Sequence, residues 1–515
     1  MAKYHIFLLV LLCLTLTACP FFDSESKCGD EVIQGNEECD GNNFGVLTCN
    51  TIGFPSGSLA CTNSCRLDTS GCQNLPGCGN GITEGEEACD GQDLNGASCQ
   101  DVGIGDGQVS CTNSCTVDYS ECTAIHQWGT SGIDRGTNIA IDSMGNVFVV
   151  GFTDGNLLGN VGRGEGDVFL MKFSWNGELL WTQTYGTQSN EYAFGLAIDP
   201  DDNIIFSGMT AGNLGGQTSR GGEDGFVMKT DNNGEPIWTR LIGTSGTDAV
   251  SWLTVDPMGN VHVTGRTTSA FPSFTNRGGT DVFYAKLSPT GETLFISQWG
   301  DSGDDAPGAI RVDSEGSILI MGRYTPSGTA NGLDCRLTKL GSQGAELWTT
   351  TFGTSGNENC YDFSLDHDGT ISFAGSTAGV YPGESSSGNF DAVFAKLDGS
   401  GEILWLDQVG STDNDHSTGT AISTSGDYFF SGCLSGSLDG QTAAGSADIY
   451  LVGYNSEGQR IWSKMWGSSS WDNSGKFVFD SYGNAWITGY AEAAFPGKTH
   501  YGNMDIVLIH THVGY

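Results

Sequence analysis

From residue 124 onward, apolar and polar positions alternate in short runs broken by Gly, Asn and Asp. One unit reads NEYAFGLAID, NIIFSGM, DGFVMKT and PIWTRLIG, spanning 190–243. Period-two alternation between turn residues is the mark of β-strands with one face buried. DPDDN, DPMGN and DSYGN join the first two strands of their units as tight hairpins, and DNNGE and SPTGE join the last two. The pattern therefore predicts four antiparallel strands per unit.

The unit recurs. Its third strand opens on Asp167, Asp224, Asp281, Asp334, Asp391, Asp448 and Asp505, and its fourth closes on Gly129, Gly186, Gly243, Gly300, Gly353, Gly410 and Gly467. A third series, Gly151, Gly208, Gly265, Gly322, Gly375, Gly432 and Gly489, keeps the same step of 57 residues with one step of 53. A fixed period of this length means a solenoid or a propeller. Four antiparallel strands repeated seven times predict an all-β, seven-bladed β-propeller over 124–515. The chain stops at Tyr515, where its last fourth strand should begin, while AIHQWG (124–129) is the tail of a fourth strand with no partners before it. The N-terminal strand is thus expected to complete the last blade and remove the open edges, an exchange a solenoid would not need.

The repeated aromatics Trp181, Trp238, Trp348, Trp405 and Trp462, with Phe295 as substitute, are expected as wedges between blades. The seven aspartates are expected to accept backbone N–H bonds at the start of strand three, with calcium the competing reading. The loops between strands two and three are the long ones, and six carry an apolar anchor: Leu157, Leu214, Phe271, Tyr381, Leu438 and Phe495. Blade four lacks the anchor and is four residues shorter, which gives the step of 53. Long loops on a rigid scaffold carry recognition, so the loops of Phe271, Tyr381 and Phe495 are candidates for a binding face; the alternative is that they only cover the blade tops.

A-x-D-x-x-G-N-x-x-x-x-G, GG-x-D-x-F-x-x-K and G-E-x-x-W over 124–515 resemble the SBBP-type propeller repeats of bacterial and archaeal cell-surface and S-layer-like proteins. The resemblance implies a displayed, non-enzymatic module. D-x-x-G-E-x-x-W-x-x-x-x-G also resembles the tryptophan-docking repeats of quinoprotein dehydrogenases, which differ in having eight blades and a vicinal disulfide. A lactonase-like or quinoprotein-like exported enzyme using the central funnel is the alternative function. H-E-x-x-H and a G-x-S-x-G elbow are absent, and no blade stands out by a polar cluster of its own. Neither a catalytic residue nor a cofactor is assigned.

Ahead of the repeats the composition changes. Cys28, Cys39, Cys49, Cys61, Cys65 and Cys72 are followed by Cys78, Cys89, Cys99, Cys111, Cys115 and Cys122, with gaps of 11, 10, 12, 4 and 7 in both sets. Two small modules, 28–72 and 78–122, are each expected to be stapled by three disulfides in an oxidising compartment. Six cysteines allow fifteen pairings, and the sequence does not choose among them. CGNG, EGEE-x-CDG and CTNSC resemble the cysteine-rich repeats of myxobacterial and related surface proteins, which implies an exported protein and no activity. Glu37, Glu38 and Asp40, and likewise Glu86, Glu87 and Asp90, are candidates for calcium against the reading of a solvated loop. Cys335 and Cys360 lie in neighbouring repeats and are candidates to bridge blades four and five, which would leave Cys433 a buried free thiol.

Residues 1–18 read as a signal peptide: Lys3, then an apolar run from Ile6 to Leu16, too short to span a bilayer. Leu16-Thr17-Ala18-Cys19 resembles a bacterial lipobox, so Cys19 is the expected lipidation site, with 19–27 as tether and the lipid as the only membrane attachment. Pro20 in place of Asp favours the outer membrane or cell surface; secretion is the alternative. The formal charge of −40 argues against nucleic acid, which needs clustered Lys and Arg. The sequence therefore reads as a surface lipoprotein with a monomeric propeller for adhesion or envelope scaffolding, its partner an envelope polysaccharide or surface protein.

Overall fold

The computed structural model describes residue 33 and residues 37–45, 47–52, 56–73, 78–325 and 332–513. Cys19 and Cys28 lie outside the described residues. The chain forms two compact units, 1–97 with 110–118, and 98–109 with 119–515.

The first unit has little regular structure and is held by disulfides. Cys78–Cys115 and Cys89–Cys111 staple the second cysteine set, and Cys39–Cys61 and Cys49–Cys72 the first. Cys65, at the position of Cys115, is also disulfide-bonded. The third pair of the second set, Cys99–Cys122, belongs to the other unit, where it packs with Ile104 and Ala124. A chain this short buries too little apolar surface to fold without such links.

The second unit is a propeller of seven four-stranded antiparallel sheets. The first strands are Asp134–Ile141, Glu191–Ile198, Asp248–Val255, Ala306–Val312, Glu358–Leu365, His416–Ile422 and Asp472–Phe479, and they adjoin one another around the axis. The last sheet runs Asp472–Phe479, Ala485–Ala491, Asp505–Thr511 and then Thr123–Trp128, so the N-terminal strand closes the ring. Its register pairs Ile506 with Trp128 and Thr511 with Thr123. The last blade thereby has four strands like the others, its fourth supplied by the start of the propeller.

Main-chain bonds tie neighbouring blades. The N–H opening each first strand donates to the carbonyl just before the third-strand aspartate of the preceding blade: Asp134 to Met504, Glu191 to Gly166, Asp248 to Glu223, Asp305 to Thr280, Glu358 to Leu333, Asp415 to Phe390 and Asp472 to Ala447, at 2.7–2.9 Å. The core is divided accordingly, with one apolar cluster at each of the seven interfaces; Phe148, Leu170, Phe206 and Phe226, for example, fill the first. Cys335 and Cys360 are disulfide-bonded across blades four and five, and Cys433 is a buried free thiol whose pKa burial pushes up to about 12.

The repeated tryptophans sit where a blade meets the next one's outer hairpin. Trp238 Nε1 donates to Pro289 O at 3.1 Å and Trp405 Nε1 to Ser456 O at 3.2 Å. Gly291 and Gly458 lie against those rings with φ of +80° and +81°, and a Cβ at either would fall 2.7 or 2.8 Å from the indole. Glycine is required there both for the left-handed turn and for the approach of the ring.

Candidate functional site

Every first strand slips register two or three residues after it begins. A bulge leaves its extra residue out of the ladder and re-aims the side chain. The residues released are Thr137, Phe194, Ser251, Gly308, Tyr361, Thr418 and the pair Gly475–Lys476. They ring the axis on the face that carries the strand two-to-three loops. One step further in, the ring reads Asn138, Gly195, Trp252, Ala309, Asp362, Gly419 and Lys476.

These rings enclose a funnel of about 410 Å³ with contributions from all seven blades. Phe152, Phe194, Trp252, Tyr361 and Tyr490 give it aromatic walls, and Arg135, Arg266 and Lys476 are its charged residues. No carboxylate is among the described residues that line it, in a chain with 61 Asp and Glu. Trp252 and Lys476 also line a second cavity of about 190 Å³, with Asn138, Arg311 and Asp362, and so partition the channel.

The partition is fully bonded. Lys476 Nζ lies 3.0 Å from Asp362 Oδ2, donates to Thr418 O at 2.6 Å and Tyr361 O at 3.2 Å, and stands 4.4 Å from the centre of the Trp252 ring. Arg311 Nη2 reaches the other oxygen of Asp362 at 2.8 Å. Burial pulls the Lys476 pKa down to about 8, and the Asp362 carboxylate opposes that fall. A lysine with three donors engaged holds the channel wall together. At the mouth, by contrast, Arg135 stacks 4.5 Å from the Tyr490 ring and donates through Nε to Met504 Sδ. Neither Arg135 nor Arg266 forms a salt bridge among the described residues.

The third-strand aspartates serve the blade junctions. Asp167, Asp224, Asp448 and Asp505 accept the N–H of the residue four before each, at 2.6–2.9 Å, and Asp281 and Asp391 do so at 3.2–3.3 Å. Each of the seven also presses on the closing glycine: a Cβ on Gly186 would fall 1.6 Å from Asp167 Oδ1, and one on Gly353 2.6 Å from Asp334 Oδ1. The two markers that define the repeat therefore touch in every blade.

Beside them stands an acid ring that the sequence reading passed over: Asp134, Glu191, Asp248, Asp305, Glu358, Asp415 and Asp472. Each lies five residues after a closing glycine, the signal that would have revealed it. Six accept the N–H of the residue four before, as Thr187 N to Glu191 at 2.6 Å and Ser468 N to Asp472 at 2.5 Å illustrate. Burial raises Asp134, Asp248, Asp305, Glu358 and Asp415 above the usual carboxylate range and Asp472 to about 7, with the neighbouring third-strand aspartate adding to the rise. Among the described residues no three potential metal ligands meet at a junction. In the first unit Glu87 meets the Cys78–Cys115 disulfide, and Glu37 meets Asp40 and the disulfide-bonded Cys65.

The loop anchors face inward. Phe271, Tyr381 and Phe495 are 4, 5 and 1% exposed, so they fasten their loops and leave the outer surface to polar neighbours. A fourth-strand glutamine locks each one: Gln298, Gln408 and Gln127 accept the anchor's N–H at 2.8, 3.1 and 2.9 Å and donate to Asp281, Asp391 and Asp505 at 2.9, 2.7 and 2.8 Å.

A family model described as SBBP, the beta-propeller repeat, matches residues 125–159 and 237–272. The chain folds as a seven-bladed β-propeller of repeated units, and the family model matches two stretches of it. It is 25% identical over 350 residues to the regulatory protein FlaEY of Caulobacter vibrioides, covering 57% of this chain and 35% of that one. It is 22% identical over 253 residues to an uncharacterized WD repeat-containing protein of Acanthamoeba polyphaga mimivirus, covering 38% and 18%. The chain thus spans about a third or less of the length of these relatives. Among solved structures, the Neurospora crassa Pan2 WD40 domain aligns at a TM-score of 0.43 and 8% identity, covering 75% of this chain and 90% of that one. Polysaccharide lyase Uly1 aligns at 0.41 and 11%, covering 73% and 90%.

Proposed function

We propose that this protein is an exported, non-catalytic recognition propeller that takes its ligand on the loop face, at the mouth of the central funnel. The supporting observation is the place where the repeat breaks. Third-strand aspartates and closing glycines keep the beat in all seven blades and loop anchors in six, whereas the bulge positions read Thr, Phe, Ser, Gly, Tyr, Thr and Gly-Lys, and all of these but Gly308 line the funnel. A concave, largely preformed site with aromatic walls and a few polar groups is the usual form of a ligand pocket. Disulfides in both units support an oxidising compartment. Display through Cys19, adhesion and envelope scaffolding belong to the same proposal. The enzyme alternative meets a specific obstacle: Lys476, with its lowered pKa, has all three donors engaged.

The test is binding of the purified full chain to envelope fractions and a glycan panel, with Trp252→Ala and an outer-loop variant alongside. Saturable binding lost in Trp252→Ala is the expected result. Binding lost only in the loop variant would move the site out of the funnel, and no binding to any fraction would refute the reading.

A further inference from the structure

We infer that the funnel accepts a carboxylated sugar ring, the acidic residue at an end or branch of an anionic polysaccharide. This rests on the recognition reading above and names the ligand class.

Charge is the first argument. Around the funnel a chain of net charge −40 places no carboxylate on the wall and leaves Arg135 and Arg266 without ion pairs. A guanidinium fork matches a carboxylate in a two-point, charge-assisted contact, and here Arg135 is half-buried and Arg266 exposed. Arg135 is held ready for this, since Tyr490 and Met504 fix its plane and no carboxylate among the described residues lies within salt-bridge distance, the nearby Asp154 feeling its charge without pairing. An anion reaching the mouth meets both cations and breaks no salt bridge among the described residues.

Shape is the second. About 410 Å³ falls within the roughly 300–1,000 Å³ of small-ligand sites, enough for one or two sugar rings and too little for a folded partner. The Trp252, Tyr361 and Phe194 side chains line the walls, and the C–H face of a pyranose packs on such apolar surface. Neutral polar groups complete the set. Ser251 Oγ lines the funnel and forms no side-chain hydrogen bond among the described residues, so it can donate to or accept from a sugar hydroxyl. The floor, bonded as Trp252–Lys476–Asp362, keeps the ligand on the loop side.

The test titrates the full, oxidised chain with a hexuronate oligosaccharide, its carboxyl-reduced counterpart and a sugar phosphate. Calorimetry and tryptophan fluorescence report binding, with thermal unfolding as the check on folding. Expected are saturable binding of the uronate, at least tenfold weaker binding of the reduced form, and a loss of about tenfold in Arg135→Ala and in Arg266→Ala at unchanged Tm. Trp252→Phe should keep binding and reduce the fluorescence change. Equal binding of the acidic and reduced forms would overturn the inference while leaving the recognition reading in place. A sugar phosphate held more tightly than the uronate would also overturn it, by assigning the cations to phosphate. If no sugar binds although envelope fractions do, the ligand class is wrong; if neither binds, the recognition reading fails with it.

Discussion

Gln127 is the residue on which closure of the ring can be tested. It lies in the N-terminal strand Thr123–Trp128, which continues covalently into the first blade and pairs with the last. Its Nε2 donates to Asp505 Oδ2 at 2.8 Å and to Ala493 O at 3.0 Å, and its Oε1 accepts the Phe495 N–H at 2.9 Å. Gln127→Ala removes all three. Asp505 keeps the Tyr501 N–H, but the Phe495 N–H and the Ala493 carbonyl lose these side-chain partners in a site where Gln127 is 7% exposed. An unsatisfied buried group costs about 1–3 kcal/mol, so with some water entry the variant loses about 3–5 kcal/mol. For a domain of about 390 residues, with unfolding entropy near 2 cal/mol/K per residue, that lowers Tm by about 4–6 °C.

Gln298→Ala is the control, because Gln298 makes the same three bonds, to Asp281, Ser269 and Phe271, inside a blade whose four strands are consecutive in sequence. The Tm losses should match. Hydrogen exchange should separate the variants: amides of Asp505–Thr511 lose protection in Gln127→Ala and keep it in Gln298→Ala. A Tm change below about 1 °C, or equal exchange at 505–511 in both, would refute the assignment of Gln127 to ring closure.

Asp472, with its pKa raised to about 7, holds a proton in the folded state that the unfolded chain releases near pH 4. This group therefore lowers stability as pH rises from about 4 to 7, by at most about 4 kcal/mol, and no further above that. Asp472→Asn should flatten the Tm difference between pH 5 and 7.5. The Cys335–Cys360 link closes a separation of 25 residues, so the double Ala variant should lose about 3 kcal/mol in denaturant unfolding. Since these cysteines are buried, mild reductant should leave the folded protein's Tm unchanged. Gly458→Ala places a methyl on Trp405 at a φ of +81° and should cost about 2–4 kcal/mol by the same assay, against near neutrality at the open, left-handed Gly426 once its turn strain of about 1 kcal/mol is subtracted.

The blades were legible because their demands are local and repeated. DGFVMKT, read as the third strand of its unit, spans Asp224–Thr230 in the fold, and the fourth strand read from Pro236 ends at Ile242, one residue short of the closing glycine. The closing strand followed from counting, since an unpaired edge has to go somewhere. The acid ring was hidden differently: it mixes five Asp with two Glu, and G-T-S-G-x-D reads as turn chemistry until the fold places each acid beside a third-strand aspartate. The funnel was least legible. Lys476, Asp362 and Trp252 lie more than a hundred residues apart, and each looks like noise in its own repeat. Only the bulges bring them to one axis, and a bulge is set by register between strands.

That contrast explains how one chain satisfies two opposed requirements. A ring closed by its own first strand must fit at seven junctions at once, so the groups that set the fit are held constant: a main-chain bond, an aspartate against a glycine, an aromatic under a turn. Recognition needs the reverse, different side chains meeting at one place. The bulge reconciles them, because it repeats as backbone and so preserves the spacing of the blades, while Phe194, Ser251 and Tyr361 belong to none of the seven apolar clusters; Thr137 and Thr418 also bond the next blade, to Ala193 O and Gly475 O. Substitutions at 194, 251 and 361 should therefore change what the funnel holds without loosening the ring, whereas equal changes at the junctions should unfold it before any binding is lost. Melting temperatures for the two sets separate these outcomes directly: a large Tm loss from Phe194→Ser or Tyr361→Thr would mean that the bulge ring is part of the core.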